Sequence, residues 1–346
     1  MSTKPLRRRF LLAVCFALGL SLIPAVRWEV LRGAELPARL SDQAFWQFIV
    51  DSSEPNGYFR SDTFTSNELW FQYVIPDLVS RTRPGGVYLG VGPEQNFTYI
   101  AAVRPVMAII FDIRRGNMMV QLMYKAIFEL AKDRADLVSM LFSKARPAGL
   151  GSESSVAELF SSFGAVETSA ALFERNLRTI QDHLTVTDHL PLSSQDLDGI
   201  EYAYHAFYAN GFAVRRQPTY ADLMTETDRA GVSRSYLATE ASFAFLKTLE
   251  SKNLVIPVVG DFGGPKALRA VGAYLKAHGA TVAAFYLSNV EQYLYQGGEW
   301  SAFCRNVSTL PLDAASTFIR SSSRGAGGFL SSLGAMAAEV NTCGRF

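Results

Sequence analysis

The stretch GGVYLGVGPEQNFTYIAAVRPVMAIIFDIRRGN, from Gly85 to Asn117, decides the fold of this chain. A short apolar run, Val87 to Val91, predicts a buried strand, and a glycine turn then opens a helix with Pro93 in its first turn. The helix is short and ends near Pro105. A second apolar run predicts another strand, which ends in Asp112. This order of strand, glycine turn, helix and strand is typical of a parallel α/β sheet.

The glycine turn and the acid together indicate a ligand that carries a nucleoside. Glycine lets the backbone approach a ligand closely, and the amino terminus of the next helix offers free N–H groups. A carboxylate about twenty residues beyond such a turn can accept hydrogen bonds from both hydroxyls of a ribose. The dinucleotide pattern G-x-G-x-x-G would require glycine where Gln95 stands. An ordinary turn between a strand and a helix is the alternative.

Gly90 and Gly92, with Asp112 at the end of the next strand, resemble motifs I and II of class I S-adenosylmethionine-dependent methyltransferases. The phrases GVYLGVGPEQNFTYIAAVRP, DIRRGNM, YLATE, VVGDFGGPKALR and YLSNVEQYL also resemble a bacterial family of uncharacterised proteins with a methyltransferase-like fold. This closer resemblance covers roughly residues 40 to 320. It implies a Rossmann-like, mostly parallel sheet with flanking helices, and it implies no reaction. Tyr88 and Glu94 depart from the usual motif I, where an acidic residue and a third glycine are common.

The resemblance also implies which residues would hold S-adenosylmethionine. They are the glycine turn, the start of the next helix and the acid with its neighbour: Gly90, Val91, Gly92, Pro93, Gln95, Asn96, Asp112 and Ile113. Arg114 follows at the edge of the same cleft, where it could contact an anionic substrate or form a solvent-facing salt bridge. In methyltransferase-like folds a leading segment often lies over this cleft, and Asn67 and Glu68 would be polar contributors of that segment. A solvated loop is the alternative.

Two later strands end in polar residues of the same predicted edge. Leu254 to Val259 is followed by Asp261, and Thr281 to Leu287 is followed by Ser288 and Asn289. Because ligands bind beyond the carboxyl ends of parallel strands, we expect these side chains to meet the glycine turn and the first acid. Asp261 could orient or deprotonate a methyl acceptor, and Asn289 could hold it by its amide, with Ser288 beside them. The alternative is that every strand must end in some polar turn.

Residues 150 to 236 predict a mainly helical insertion, or cap, within the α/β domain, and a strand-like stretch from Phe212 to Arg215 follows its longest helices. Caps commonly shape the substrate pocket. His205 lies on an aromatic-rich helix of this insertion and could be a general base, because its ordinary pKa is near neutrality. A packed, hydrogen-bonded histidine is the alternative. By composition, residues 321 to 346 predict a flexible C-terminal tail.

The amino terminus predicts export. Arg8 and Arg9 precede an uncharged run, Phe10 to Ile23, which has the length of a signal-peptide core and is short for a membrane span. Arg8-Arg9-Phe10-Leu11 resembles a twin-arginine export signal. Residues 1 to 26 are therefore expected to be a signal peptide or, if uncleaved, a membrane anchor, with a buried helix as the alternative. The α/β domain, residues 38 to 320, would then be periplasmic or held at the inner membrane facing the periplasm.

The composition excludes several classes of function. With 346 residues, 49% of them apolar, and a formal net charge of +1, the chain has no basic excess for binding nucleic acid. Few histidines, and cysteines without metal-site spacing, predict no metal centre. Cys304 and Cys343 could pair in an oxidising compartment. The chain has no nucleophile-elbow, Walker or zinc motif, which argues against hydrolase, phosphate-loop and zinc chemistry.

Three functions are compatible with these observations, and each takes a small-molecule ligand. The first is a methyltransferase that uses S-adenosylmethionine and an unidentified acceptor. The second is an exported, non-catalytic relative that serves as a binding or structural module, since S-adenosylmethionine is not expected outside the cytoplasm. The third is an NAD(P)-dependent oxidoreductase, which Gln95 disfavours.

Overall fold

The apolar runs form the strands of one six-stranded sheet in the computed structural model, which describes residues 35–323 and 329–343. The strands are β1 (Val87–Val91), β2 (Met107–Asp112), β3 (Val255–Val259), β4 (Val282–Ser288), β5 (Thr317–Ser323) and β6 (Phe329–Ala335). Their order is β3-β2-β1-β4-β5-β6. The first five strands are parallel, and β6 pairs antiparallel with β5. The chain reverses its winding direction between β1 and β4, where ligands bind in doubly wound sheets.

Helices flank this sheet throughout the described part of the chain. They are α1 (Asp42–Ser52), α2 (Ile75–Arg81), α3 (Gln95–Val103), α4 (Arg115–Leu130), α5 (Arg134–Leu141), α6 (Val156–Gly164), α7 (Ala170–Asp182), α8 (Ser194–Asn210), α9 (Tyr220–Thr225), α10 (Glu240–Glu250), α11 (Ala267–Ala277), α12 (Val290–Gln296), α13 (Trp300–Val307) and α14 (Met336–Val340). Short 3₁₀ turns occupy Phe71–Val74 and Gly211–Ala213, and a π-helical turn occupies His183–Thr187. The predicted α/β class with a mostly parallel sheet is thus confirmed.

The core is built where these helices cover the sheet. All six residues of β2 are buried, as expected for a parallel strand with helices on both faces. Phe97 of α3 packs edge-on against Phe128 of α4, with 5.2 Å between the ring centroids. Strands and helices therefore alternate along the chain from β1 to α4, as the opening stretch predicts.

Residues 150–236, the predicted insertion, are mainly helical. The insertion contains α6 to α9, and it belongs to the same compact unit as the sheet. Its longest helix, α8, packs on α4, and a Cβ at Gly199 would lie 3.0 Å from Met119 Cγ. The strand expected from Phe212 to Arg215 is wrong, because a single 3₁₀ turn occupies Gly211–Ala213 instead.

The C-terminal residues also differ from the prediction of a flexible tail. β6 pairs with β5 from Phe329 to Ala335, α14 follows, and a disulfide joins Cys304 to Cys343 with 5.5 Å between their Cα atoms. Backbone pairing overrides a composition rich in serine and glycine here. The predicted signal peptide or anchor, residues 1 to 26, lies outside the described residues. No helix within residues 35–323 and 329–343 has the length and apolar character needed to cross a membrane.

Candidate functional site

A cavity of about 620 Å³ lies at the carboxyl ends of the central strands, and we call it the rim cavity. Its size is that of a pocket for a small organic ligand. Most of the side chains predicted for the site line it: Val91, Gly92, Pro93, Asp112, Ile113, Asn67, Glu68, Asp261, Ser288 and Asn289. The parallel sheet therefore brings together residues that lie far apart in the sequence.

The glycine turn is held by hydrogen bonds on the side that faces the protein and is open on the side that faces the cavity. Gly92 has a φ of +79°, which favours glycine, and a Cβ there would meet no atom within 4 Å. Its carbonyl accepts hydrogen bonds from Asn117 Nδ2 at 3.2 Å and from Gln121 Nε2 at 3.0 Å. The turn is thus held rigidly while its outer face lines the rim cavity.

Gly90 and Asn96 support the turn and do not line the cavity. A Cβ at Gly90 would lie 1.9 Å from Asn96 Oδ1, so the missing side chain makes room for that amide. Asn96 Nδ2 donates to the carbonyls of Val91 at 3.0 Å and Pro93 at 2.7 Å, and Tyr88 donates to Asn96 Oδ1 at 2.9 Å. The expected cofactor contacts of these two residues are therefore corrected to a structural role.

Gln95 is likewise buried away from the cavity. Its Nε2 donates to Glu68 Oε2 at 3.0 Å and to Tyr99 at 3.1 Å. The position where the dinucleotide pattern requires glycine is thus occupied by a side chain that anchors the leading segment. Only the turn itself, not the first side chains of α3, faces the ligand space.

Asp112 lines the rim cavity, but Arg114 binds it tightly. Arg114 donates to Asp112 Oδ1 from Nε at 3.1 Å and from its backbone N–H at 2.8 Å. The same guanidinium donates to the Ser61 carbonyl at 2.6 Å and to the Thr63 hydroxyl. Burial raises the pKa of Asp112, although Arg114 opposes that shift. The predicted contact of Arg114 with a substrate is corrected: its side chain holds the cavity wall and does not line the cavity.

Glu68 and Ser288 line one part of the cavity, which we call its floor, and Ser321 contacts Glu68 without lining the cavity. The carboxylate is 1% exposed and accepts hydrogen bonds from both hydroxyls and from Gln95 Nε2. Ser288, at the end of β4, has a φ of +51°, which is uncommon for a residue with a side chain. The two residues predicted to contact a substrate here are thus in direct contact with each other.

Asp261, beyond β3, and Asn289, beyond β4, also line the cavity, and β2 and β1 lie between their strands. Asp261 Oδ1 accepts a hydrogen bond from the Gly263 N–H at 2.8 Å, which orients the carboxylate. Glu54 fixes the same loop, because it accepts from the N–H groups of Asp261 at 3.1 Å and Lys266 at 2.7 Å. The segment that carries Glu54 also supplies the wall from Phe59 to Thr63, so the expectation that a leading segment covers the cleft agrees with this geometry.

His205 is not part of the site. It is exposed on α8, where it contacts Phe173 edge-on with 5.7 Å between the ring centroids, and it does not line the cavity. The general-base prediction for His205 is therefore corrected. From the whole insertion only Arg215 reaches the cavity, since α8 instead covers α4.

Arg215 lines the cavity and Glu94 lies near it, although neither was predicted as a site residue. Arg215 is half-buried, and burial lowers its pKa while the charge of Glu94 opposes that shift. Glu94 is fully buried, and both of its oxygens accept from the Ser66 N–H, at 3.1 and 3.2 Å. Burial raises the pKa of Glu94 to about 8. No local pattern marks Arg215, because it reaches the site only through the packing of the insertion.

A separate ionisable cluster joins α4 to the π-helical turn. Glu129, His183 and Asp188 each place a potential metal-ligand atom within 4.8 Å of the others. Lys125 Nζ lies 2.5 Å from Glu129 Oε1, and His183 Nε2 lies 2.6 Å from Glu129 Oε2, so the charges are already paired. None of these residues lines the rim cavity. We treat the cluster as a structural ion-pair network.

The charges around the cavity are unequal. Among the described residues, four carboxylates and two guanidinium groups line it: Glu68, Asp112, Asp261 and Glu299 against Arg60 and Arg215. The Arg114 guanidinium behind the wall neutralises one of the four, Asp112. A net negative charge remains, which favours a cationic ligand over one with phosphate groups.

Most of the residues around the cavity fall within one sequence family. The model of the Domain of unknown function (DUF7790) matches residues 63–338, which is most of the chain. The chain belongs to this family. Among curated proteins, none matches it. The family description supplies no activity, so the function has to be argued from the cavity.

Proposed function

We propose that this chain is a methyltransferase-like protein whose rim cavity binds S-adenosylmethionine. One observation carries the proposal: the glycine turn at Gly92 and the acid Asp112 line the same cavity, with no side chain filling the space in front of the turn. The order of the strands is compatible with a Rossmann-like fold of the class I methyltransferase type. Both features are those expected for a pocket that holds a nucleoside.

The negative charge of the cavity supports this ligand over a nicotinamide dinucleotide. S-adenosylmethionine carries a positively charged sulfonium, whereas a dinucleotide carries a pyrophosphate. Glu94 is buried at the amino terminus of α3, where a phosphate would otherwise bind. Residues of the helix start are thus arranged unfavourably for a pyrophosphate, and an NAD(P)-dependent oxidoreductase is the weakest of the three candidates.

The residues that line the cavity fit a methyl-transfer site with a cofactor pocket, a base and a group that orients the acceptor. The space in front of Gly92 would take the nucleoside, and S-adenosylmethionine, when bound, would supply an electrophilic methyl group. Asp261 is held by the Gly263 N–H with its second oxygen left to accept a proton from an acceptor hydroxyl or amine. Asn289 lines the same cavity and would orient the acceptor through its amide. In-line placement is the main requirement of such a transfer.

A second candidate is an exported, non-catalytic protein of the same fold, and the disulfide favours it. A bond between Cys304 and Cys343 is typical of proteins that work outside the reducing cytoplasm. We accordingly propose that the mature chain is periplasmic or anchored at the inner membrane, as its twin-arginine-like leader predicts. In this candidate the rim cavity would bind a small molecule without transferring a methyl group.

Isothermal titration calorimetry with S-adenosylmethionine, its demethylated product and NAD⁺ tests the proposal. We expect the first two ligands to bind and Gly92→Ala to weaken that binding by about tenfold or more, because the new Cβ would enter the ligand space. Gly149→Ala is a matched control, since Gly149 has a φ of +84°, open space around it and a position away from the cavity.

The outcomes separate the candidates. If neither adenosyl ligand binds the wild-type chain, the cofactor proposal is wrong, and binding of NAD⁺ would revive the oxidoreductase. Recovery of a methylated product from the purified protein would exclude the non-catalytic candidate.

A further inference from the structure

Glu68 is a buried carboxylate with no positive partner among the residues that the structure describes. Its side chain is 1% exposed, yet it forms no salt bridge within residues 35–323 and 329–343. The other buried acids of the site differ: Asp112 pairs with Arg114, and Glu94 is held largely in its neutral form by burial. A buried charge is costly unless it is paired or binds a cation.

Only neutral groups hold the Glu68 carboxylate. Ser288 donates to Oε1, and Ser321 and Gln95 donate to Oε2. These bonds fix the position of both oxygens but bring no positive charge to them. Glu68 also lines the rim cavity, so its side chain borders space that a ligand can enter.

The neighbouring backbone carries strain at the same place. Ser288 has a φ of +51°, in a region where a residue with a side chain is disfavoured. This conformation directs the Ser288 hydroxyl at Glu68. Strained residues of this kind are concentrated at ligand sites, where the surrounding structure enforces them. Two independent observations thus indicate the same spot on the cavity floor.

An aromatic side chain completes the surroundings. Tyr286 lines the cavity beside Glu68, and burial together with the Glu68 charge raises the pKa of its hydroxyl. The phenol of Tyr286 therefore stays neutral next to the carboxylate. A carboxylate with an adjacent aromatic ring is a favourable setting for an organic cation.

We propose that Glu68, with Ser288 and Ser321 holding its oxygens, is the counter-ion for a positively charged group of the ligand, a sulfonium or an alkylammonium. This inference deepens the proposed function, on which it rests for the identity of the nucleoside but not for the charge. Asp112 cannot take this role, because Arg114 already neutralises it.

The first test needs no nucleoside. Trimethylsulfonium chloride is titrated into the wild-type chain against sodium chloride at equal ionic strength, and the urea midpoint of unfolding is measured. We expect the sulfonium to raise the midpoint of the wild type and of Glu299→Gln, and not that of Glu68→Gln. Glu299 is a matched control because it is an exposed carboxylate on the same cavity.

The ligand-free proteins give a second, independent readout. A buried carboxylate without a positive partner destabilises the ligand-free protein. Glu68→Gln is therefore expected to raise the urea midpoint of unfolding at neutral pH. The glutamine amide can still accept from Gln95 and Ser321 and donate to the Ser288 hydroxyl. A purely structural role for Glu68 predicts the opposite, a lower midpoint.

The third readout is how far the variant discriminates between the two adenosyl ligands. We expect Glu68→Gln to weaken S-adenosylmethionine at least tenfold and its neutral demethylated product less than threefold. Equal losses for the two ligands, or a wild type that trimethylsulfonium does not stabilise, would overturn the inference. If trimethylsulfonium protects the wild type while neither adenosyl ligand binds, the proposed function fails and the cation site stands.

Discussion

Replacing Glu94 by glutamine tests the electrostatics beside the glycine turn. Glu94 is fully buried, and this burial raises the pKa of its carboxyl from 4.5 to about 8, although hydrogen bonds from backbone N–H groups oppose the shift. The carboxyl accepts from the Ser66 N–H, which connects the leading segment to the turn. Glutamine has the same shape, keeps an oxygen for that N–H and stays neutral at every pH.

The sign of the effect follows from where the proton is held. Between pH 4.5 and about 8 the folded chain keeps a proton on Glu94 that the unfolded chain has released. Unfolding therefore releases a proton in this window, and the stability of the wild type falls as the pH rises through it. The full loss corresponds to roughly 4–5 kcal/mol, reached above pH 8 and absent below pH 4.5.

Urea denaturation of the wild type and Glu94→Gln across this range measures the difference. The two free energies of unfolding are expected to agree near pH 4.5 and to separate progressively, with the variant more stable by several kcal/mol above pH 8. Glu226→Gln is a control, because the pKa of Glu226 is raised only to about 7 and its separation should level off earlier. A difference that stays constant with pH would refute the reasoning.

Two further predictions concern the turn and the disulfide. Gly90→Ala is expected to destabilise the fold by about 2–3 kcal/mol in urea, because its Cβ would lie 1.9 Å from Asn96 Oδ1, whereas Gly116→Ala, with open space around it, should change little; equal effects would contradict the packing role. Cys304→Ser is expected to cost about 4 kcal/mol, since the disulfide closes a loop with a sequence separation of 39. Reductant should lower the wild-type midpoint to that of the variant, and an unchanged midpoint would show that the bond contributes nothing.

The central strands could be predicted from the sequence because their environment leaves a local signature. Parallel strands covered on both faces are continuous apolar runs, so β2 and its terminal Asp112 follow directly from the sequence. The same principle places Asp261 and Ser288 at the edge that Asp112 occupies. The sequence therefore predicted which residues lie at this edge of the sheet and line the rim cavity.

The direction in which individual side chains point could not be predicted from the sequence. Gln95 and Asn96 stand one turn beyond the glycines, where the rotation of α3 turns both into the protein rather than toward the cavity. Arg114 folds back on Asp112 through an ion pair that spacing alone does not reveal. β6 depends on pairing with β5, and its serines and glycine carry little strand propensity. Such outcomes are decided by tertiary contacts.

The pair formed by Asp112 and Arg114 changes what a substitution at position 112 would report. The arginine reaches across to Ser61 and Thr63, so the acid acts as a latch for a stretch of chain some fifty residues upstream. Removing the acid would remove the partner that holds Arg114 and, with it, a support of that stretch. Kinetic or binding defects of such a variant would therefore report a loosened cavity wall rather than the loss of one contact to the ligand.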